Sequence, residues 1–222
     1  MSNRLCSEQQ FLKDIATHQM TVIADSGFSR HLKFRRPDTS SYWFDIITWP
    51  GKLCITGDMG TYVFSRIEDM FNFFRIDKND WNFNREGGLS INPSYWEEKL
   101  DAMPKRGCRE FDEQRFNEVI KEEFDAWCAD NPTKKEFFED LWDQLELDVL
   151  GATADGQHSA VTAAMEFTHE DTNFQFVDFW EHRLECHTFH YIWCCYAIAW
   201  AVKTYDAASD KHIMELAELN GH

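Results

Sequence analysis

The sequence predicts an α+β fold, with an N-terminal antiparallel β-meander packed against a mainly helical C-terminal part that has one buried central helix. Three observations carry this. Residues about 20–65 hold five short β-rich runs separated by turn-formers, and residues about 66–222 hold apolar side chains at helical period. The stretch Phe189–Val202, FHYIWCCYAIAWAV, is apolar on every side, as a helix enclosed by protein or lipid must be. A chain of 222 residues suits a single domain over 1–222 with a large core. Nothing linker-like lies near residue 65, where the texture changes.

Ser7 with Gln10 forms a capping-box pattern that opens a short helix burying Phe11, Leu12, Ile15 and Ala16. The strands expected next are Met20–Asp25, Arg30–Arg36, Tyr42–Trp49, Leu53–Thr56 and Thr61–Phe64. Ser26-Gly27, Pro37-Asp38, Pro50-Gly51 and Gly57-Asp58-Met59-Gly60 break them. Connections this short favour antiparallel neighbours. Ser65 with Glu68 predicts a helix with Ile67, Met70, Phe71 and Phe74 on one face. Residues 76–92 read as an irregular loop. Ser94 with Glu97 predicts a helix ending near Met103, before Pro104.

Phe111–Cys128 reads as a longer helix with Phe116, Val119, Ile120, Phe124 and Trp127 inward. Thr133 with Glu136 caps another, burying Phe137, Phe138, Leu141, Trp142 and Leu145. His158–Phe167 reads as a further helix, and Phe174–Phe179 is ambiguous, with a last strand as one reading. The central helix is expected from Glu181 or Thr188 to Tyr205, followed by a short helix at Lys211–Leu219.

The net charge of −17 is uneven. Residues 1–65 carry 7 basic and 6 acidic side chains, residues 66–150 carry 12 and 22, and residues 151–222 carry 3 and 11. Such charge repels phosphate, which argues against direct nucleic-acid binding by the acidic part and for a basic protein partner. The seven cysteines show no CxxC pair and fit a reduced, cytoplasmic setting. The first residues, MSNRLCSEQQ, have no apolar signal core, and the fourteen residues Phe189–Val202 are too few for the roughly 20 that span a bilayer. No membrane association is expected.

No motif specifies a chemistry. His182, Cys186 and His190 are spaced i, i+4, i+8 and would line one face of a continuous helix, with His187, Glu181 and Glu185 nearby. Imidazole and thiolate suit zinc, yet tetrahedral sites seldom draw three ligands from successive turns of one helix. No cofactor is expected, and zinc at this cluster is the one competing reading. Gly57–Gly60 lacks the phosphate-loop patterns and joins two strands, so it reads as a hairpin turn. Asp25, Asp45 and Asp58 could converge as a carboxylate cluster, although each sits at a strand end or turn where Asp is common. Lys33, Arg35 and Arg36 with Trp43 and Trp49 form a basic-aromatic patch, joined by His31. Such a face can stack single-stranded nucleic acid or simply pair with the acidic helices.

The stretches RHLKFRRPDTSSYWFDIITWPGKLCITGDMGTYVFSRIEDMFNFFR and FHYIWCCYAIAWAVKTYD resemble a family of uncharacterised bacteriophage and prophage proteins, with TWPGKLCITGDMGTYVFSR the most distinctive segment. The resemblance implies an accessory phage protein in the bacterial cytoplasm and transfers no catalytic role. With the charge, it predicts a non-enzymatic inhibitor of a host nucleic-acid-handling defence complex of the anti-restriction or anti-CRISPR type. Glu118, Glu122, Asp125, Glu139, Asp143 and Glu146 would then face a basic partner. Two alternatives stand beside it. One is an enzyme acting on a nucleotide or nucleic acid, and the other is a structural or regulatory homo-oligomer.

Overall fold

Alternation of apolar and polar side chains builds the N-terminal sheet. In Ser29–Arg36, Arg30, Leu32 and Phe34 are buried while His31, Lys33 and Arg35 lie on the other face, the period of two of a half-buried strand. A computed structural model describes residues 6–75 and 88–220, with side chains to 210, and the chain is α+β. Its elements are α1 (Glu8–Asp14), β1 (Gln19–Ser26), β2 (Ser29–Arg36), β3 (Thr39–Trp49), β4 (Lys52–Gly57), β5 (Gly60–Ser65), α2 (Met70–Phe74), α3 (Pro93–Glu97), β6 (Leu100–Ala102) and β7 (Arg109–Phe111). There follow α4 (Glu113–Asp130), α5 (Phe138–Gln144), α6 (Gln157–Glu166), β8 (Glu185–His187) and α7 (Phe189–Asn220).

The chain divides into two units. One is Arg109–Cys186; the other comprises the described residues of Arg4–Cys108 and His187–His222. The latter, the sheet unit, holds six strands in the order β1-β2-β3-β4-β5-β6, every neighbouring pair antiparallel. Its inner face presents Leu32, Phe34, Phe44, Ile46, Leu53, Ile55, Tyr62 and Phe64, all at most 1% exposed. These side chains join Phe11, Ile15, Phe71, Phe74, Trp193, Ala197, Ile198 and Ala201 in one core. Burial of each large side chain contributes about 1.5–3 kcal/mol. The small residues Ala197 and Ala201 leave room for the rings around them.

Two features pin the sheet. Gly57 pairs with Phe44, and a side chain there would overlap the Trp43 carbonyl oxygen and lie 2.8 Å from Phe44 Cα. Tyr42 adopts φ +60°, and its N–H donates to the Asp58 carboxylate, which fixes the distortion in β3. At the sheet edge, β1 carries a register shift between Val22 and Ala24. A bulge of this kind blunts an otherwise pairable edge.

The central helix begins later and runs further than the sequence suggests. Thr188 Oγ1 accepts the Tyr191 N–H at 3.2 Å, an N-cap that starts α7 at Phe189, and the helix continues to Asn220 without the expected break before Lys211. Other boundaries in the sheet unit need correction. Asp69, not Ser65, caps α2 by accepting the Phe71 N–H at 3.0 Å, and Ile67 is 42% exposed. Asn92 caps α3, which stops at Glu97, while Leu100–Ala102 pairs with β5 as a sixth strand. Of the predicted loop 76–92, residues 76–87 lie outside the described residues and 88–92 are irregular.

In the unit Arg109–Cys186, Phe111 belongs to β7, which pairs with β8, and the long helix starts at Glu113. Phe116, Val119, Ile120 and Phe124 of α4 pack with Leu141 and Leu145, with Ala160 and Ala164 of α6, and with Phe167, Phe174, Phe176 and Phe179. The predicted Thr133 cap lies inside a 3-10 turn over Pro132–Phe137, whose N-cap position is Asn131, and that turn leads into α5. A π turn at Leu145–Leu150 follows α5. Phe174–Phe179 is not a strand: Phe174 makes only an isolated bridge to His169, and a 3-10 turn starts at Phe179.

Burial sets an alkaline limit on this fold. All seven cysteines are free thiols, and burial pushes Cys6 up to about 12 from 9.0. Burial likewise raises Cys194, Cys195, Tyr62 and Tyr191. Each group is neutral when protonated, so the unfolded chain ionises at lower pH than the folded one. Their contribution to stability is complete below pH 9.0 and is lost as pH rises towards about 12. Urea midpoints are therefore expected to hold between about pH 7 and 9 and to fall beyond. A midpoint unchanged up to about pH 11 would contradict the burial of these groups.

Candidate functional site

The division into units also divides the charge. Arg109–Cys186 contains 6 basic and 21 acidic side chains, a net of −15 out of −17, which leaves the rest of the chain at −2. Of those 21 carboxylates 18 are exposed, so they act on solvent and on approaching partners.

The α4 residues Glu118, Glu122 and Asp125 recur at i, i+4 and i+7 and so share one stripe. Arg115 from the same helix forks onto Glu122 at 2.9 and 3.1 Å and reaches Glu118 at 3.5 Å. Lys121 pairs with Asp125. This stripe is therefore partly neutralised from within. Glu139, Asp143 and Glu146 repeat the same spacing along α5 and into the π turn. Among the described residues no cation pairs with Glu139 or Asp143, and Glu146 accepts only the Trp142 indole N–H at 2.7 Å. The two stripes meet at an aromatic seam, where the Phe124 and Trp142 rings lie 4.9 Å apart and the Lys121 ammonium sits 5.0 Å from Trp142. Of the six carboxylates singled out from sequence, the three on α5 and its π turn are the ones left unneutralised.

In the sheet unit the basic-aromatic patch is only partly assembled. Arg35 lies over the Trp43 ring at 4.9 Å, and Lys33 faces the same side of the sheet. Asp45 occupies the centre of this face, 2.8 Å from His31 Nε2 and 3.9 Å from Arg35. Arg36 turns away and donates to the Asp14 carbonyl at 3.0 Å, while Trp49 ends β3 at 41% exposure. Asp45 thus offsets His31 and Arg35 inside the unit.

Asp25, Asp45 and Asp58 have separate tasks. Asp25 accepts the Tyr205 hydroxyl at 2.8 Å, Asp45 holds His31, and Asp58 accepts the Tyr42 N–H. The helical premise for His182, Cys186 and His190 does not hold: His182 follows a 3-10 turn, Cys186 lies in β8, and His190 lies in the first turn of α7. His182 Nε2 donates to Glu123 at 2.7 Å.

A different cluster escaped the sequence reading. Asp140 on α5, His169 and Asp171 bring one ligand atom each to within 4.8 Å of one another. His169 is 1% exposed, with Nε2 2.9 Å from Asp140 Oδ2 and Nδ1 2.8 Å from Thr172 Oγ1. The sequence separates Asp140 from His169 by 29 positions, so only the closely spaced pair His169 and Asp171 was visible as a signal.

Comparisons with protein families, with curated proteins and with solved structures find no match to this chain. Among the described residues no helix is long and apolar enough to cross a membrane.

Proposed function

We propose that this is a non-enzymatic binding protein whose acidic unit occupies a Lys/Arg-lined groove of a nucleic-acid-handling complex. The reading extends to a phage accessory inhibitor of the anti-restriction or anti-CRISPR type, working in the cytoplasm of a bacterial host. The observation that supports it is the segregation of charge, net −15 in Arg109–Cys186 against −2 elsewhere. A field this one-sided attracts cationic surfaces and repels phosphate. The unneutralised stripe Glu139, Asp143, Glu146 is the part that would stand in for a phosphate row.

The test is plating efficiency of a phage on bacteria that carry a restriction or CRISPR effector, with and without this protein. Expression is expected to restore plating against one such system, and purified protein is expected to displace duplex DNA from that effector. Reversing all three charges (Glu139→Lys, Asp143→Lys, Glu146→Lys) should weaken the competition by about 10–100-fold, since each lost charge pair at an interface is worth on the order of 1 kcal/mol or more. Reversing Glu118 and Glu122 should do less, because Arg115 already engages both. No protection against any effector, or competition indifferent to these carboxylates and to salt, would overturn the reading.

A further inference from the structure

We infer that Asp140, His169 and Asp171 form a binding site for one divalent transition-metal ion of the zinc class. The site lies wholly within Arg109–Cys186, and the inference does not depend on the inhibitor reading.

The ligand set starts from a buried imidazole. The segment around His169 is held by its own backbone: His169 N–H donates to Phe174 O at 3.0 Å and Asn173 N–H to His169 O at 2.8 Å. Thr172 Oγ1 accepts the Phe174 N–H at 3.2 Å and faces His169 Nδ1 at 2.8 Å. The ring can therefore neither rotate nor swing, and Nε2 is aimed at Asp140, whose side chain is 59% exposed. A histidine that binds metal through one nitrogen characteristically has its other nitrogen fixed by an outer partner, and Thr172 fills that role.

The carboxylates supply the second part of the argument. Asp140 and Asp171 offer oxygens within 4.8 Å of each other and of a ring nitrogen of His169, although like charges repel at that range. Among the described residues no hydrogen bond or ion pair engages Asp171. Three ligand atoms at about 2.0–2.2 Å from a common centre stand roughly 3–4 Å apart, so small side-chain rotations complete the site. The open side, bounded by two exposed aspartates, leaves the remaining coordination to water. No other three His, Cys, Asp or Glu side chains among the described residues converge this way.

The donor set selects the ion. One nitrogen and two carboxylates suit zinc and its first-row neighbours, whereas calcium takes six to eight oxygens and magnesium keeps most of its water. The net −15 of the unit favours any cation, while Lys134, which donates to the Thr172 carbonyl at 2.6 Å, opposes it locally. Binding requires Nε2 to lose its proton. In the metal-free site Nε2–H donates to the Asp140 carboxylate, which can only accept. In the metal-bound ring the proton resides on Nδ1 and is donated to Thr172 Oγ1, which still accepts from Phe174.

Calorimetric titration of the full chain with zinc chloride is expected to show one saturable equivalent, not displaced by calcium at tenfold higher concentration. Asp171→Asn, which removes no hydrogen bond, should leave the metal-free melting temperature unchanged and weaken zinc binding at least about tenfold. Asp140→Asn should weaken it similarly. Long-range nitrogen-15 spectra should show His169 Nε2 losing its proton on saturation, with the remaining ring proton on Nδ1. Absence of a saturable equivalent, binding that survives both variants, or a His169 Nε2 that keeps its proton would each overturn the assignment.

Discussion

Replacing Trp193 by alanine is expected to lower stability by about 3–5 kcal/mol, the range for removing a fully buried large aromatic. Trp193 is 0% exposed and lies in the α7 turn that faces α1 and β3. Its ring meets Phe11 at 5.1 Å, Phe44 at 5.6 Å and Tyr42 at 6.1 Å, so the cavity would be walled by rigid rings that cannot collapse into it. The indole N–H also donates to Asp14 Oδ2 at 3.1 Å, and Asp14 is only 7% exposed. Truncation would strip that buried carboxylate of a donor as well as open the void. Denaturant titration followed by circular dichroism reads the loss, and pulse labelling of Cys194 and Cys195, both at most 1% exposed, reports on the sheet unit itself. The control is Trp49→Ala at 41% exposure, for which a change within about 0.5 kcal/mol is expected. Equal effects at the two positions would show that Trp193 is not in the core.

The strands were legible because each carries its own information. Alternation in β2 and β3, with a turn signal at each end, fixes both period and boundary, and all five predicted strands are present. Helix starts were less legible. Ser65 and Glu68 satisfy the capping-box pattern, but Gly51 N–H takes the Glu68 carbonyl at 2.9 Å and Asp69 is held by Arg30, so the cap moves four residues on. Leu100–Ala102 is too short to announce a strand; it is one because β5 offers an open edge at Val63 and Phe64. Three-residue strands are products of tertiary pairing, not of local preference.

The candidate site shows the same division. Charge is additive along a chain, so the acidic excess was readable, and the stripes followed from helical spacing. Composition marks a change from β-rich to helical texture near residue 65, while the compact units are bounded at Arg109 and Cys186, because the sheet unit includes α7 from the far end of the sequence. Neutralisation of one stripe by Arg115 and Lys121 follows from i, i+3, i+4 and i+7 neighbours and could have been anticipated. The pairing of His169 with Asp140 could not, since it depends on where a loop meets α5.

Removal of the Asp69 side chain is the second large effect expected, about 3–5 kcal/mol in Asp69→Ala, the cost of stranding a buried charge. Arg30 and Asp69 are both 8% exposed and pair at 2.9 and 3.4 Å. The guanidinium also packs against the Phe71 ring at 4.6 Å and the Tyr205 ring at 5.5 Å, and at 8% exposure water cannot readily replace the lost carboxylate. Asp69 also caps α2, which adds to the same loss. Arg75 lies 3.8 Å from Asp69 but keeps its fork onto Asp206 at 2.9 and 2.8 Å. Asp206→Ala is therefore the contrast: it breaks a pair whose members are 36% and 37% exposed, and it should cost no more than about 1 kcal/mol. Arg30→Met combined with Asp69→Leu should recover much of the loss, because an apolar pair of similar volume removes the charge that is costly to bury. If Asp69→Ala proved as mild as Asp206→Ala, Arg30 would have to reach solvent, and the junction of β2, α2 and α7 would be far looser than its geometry requires.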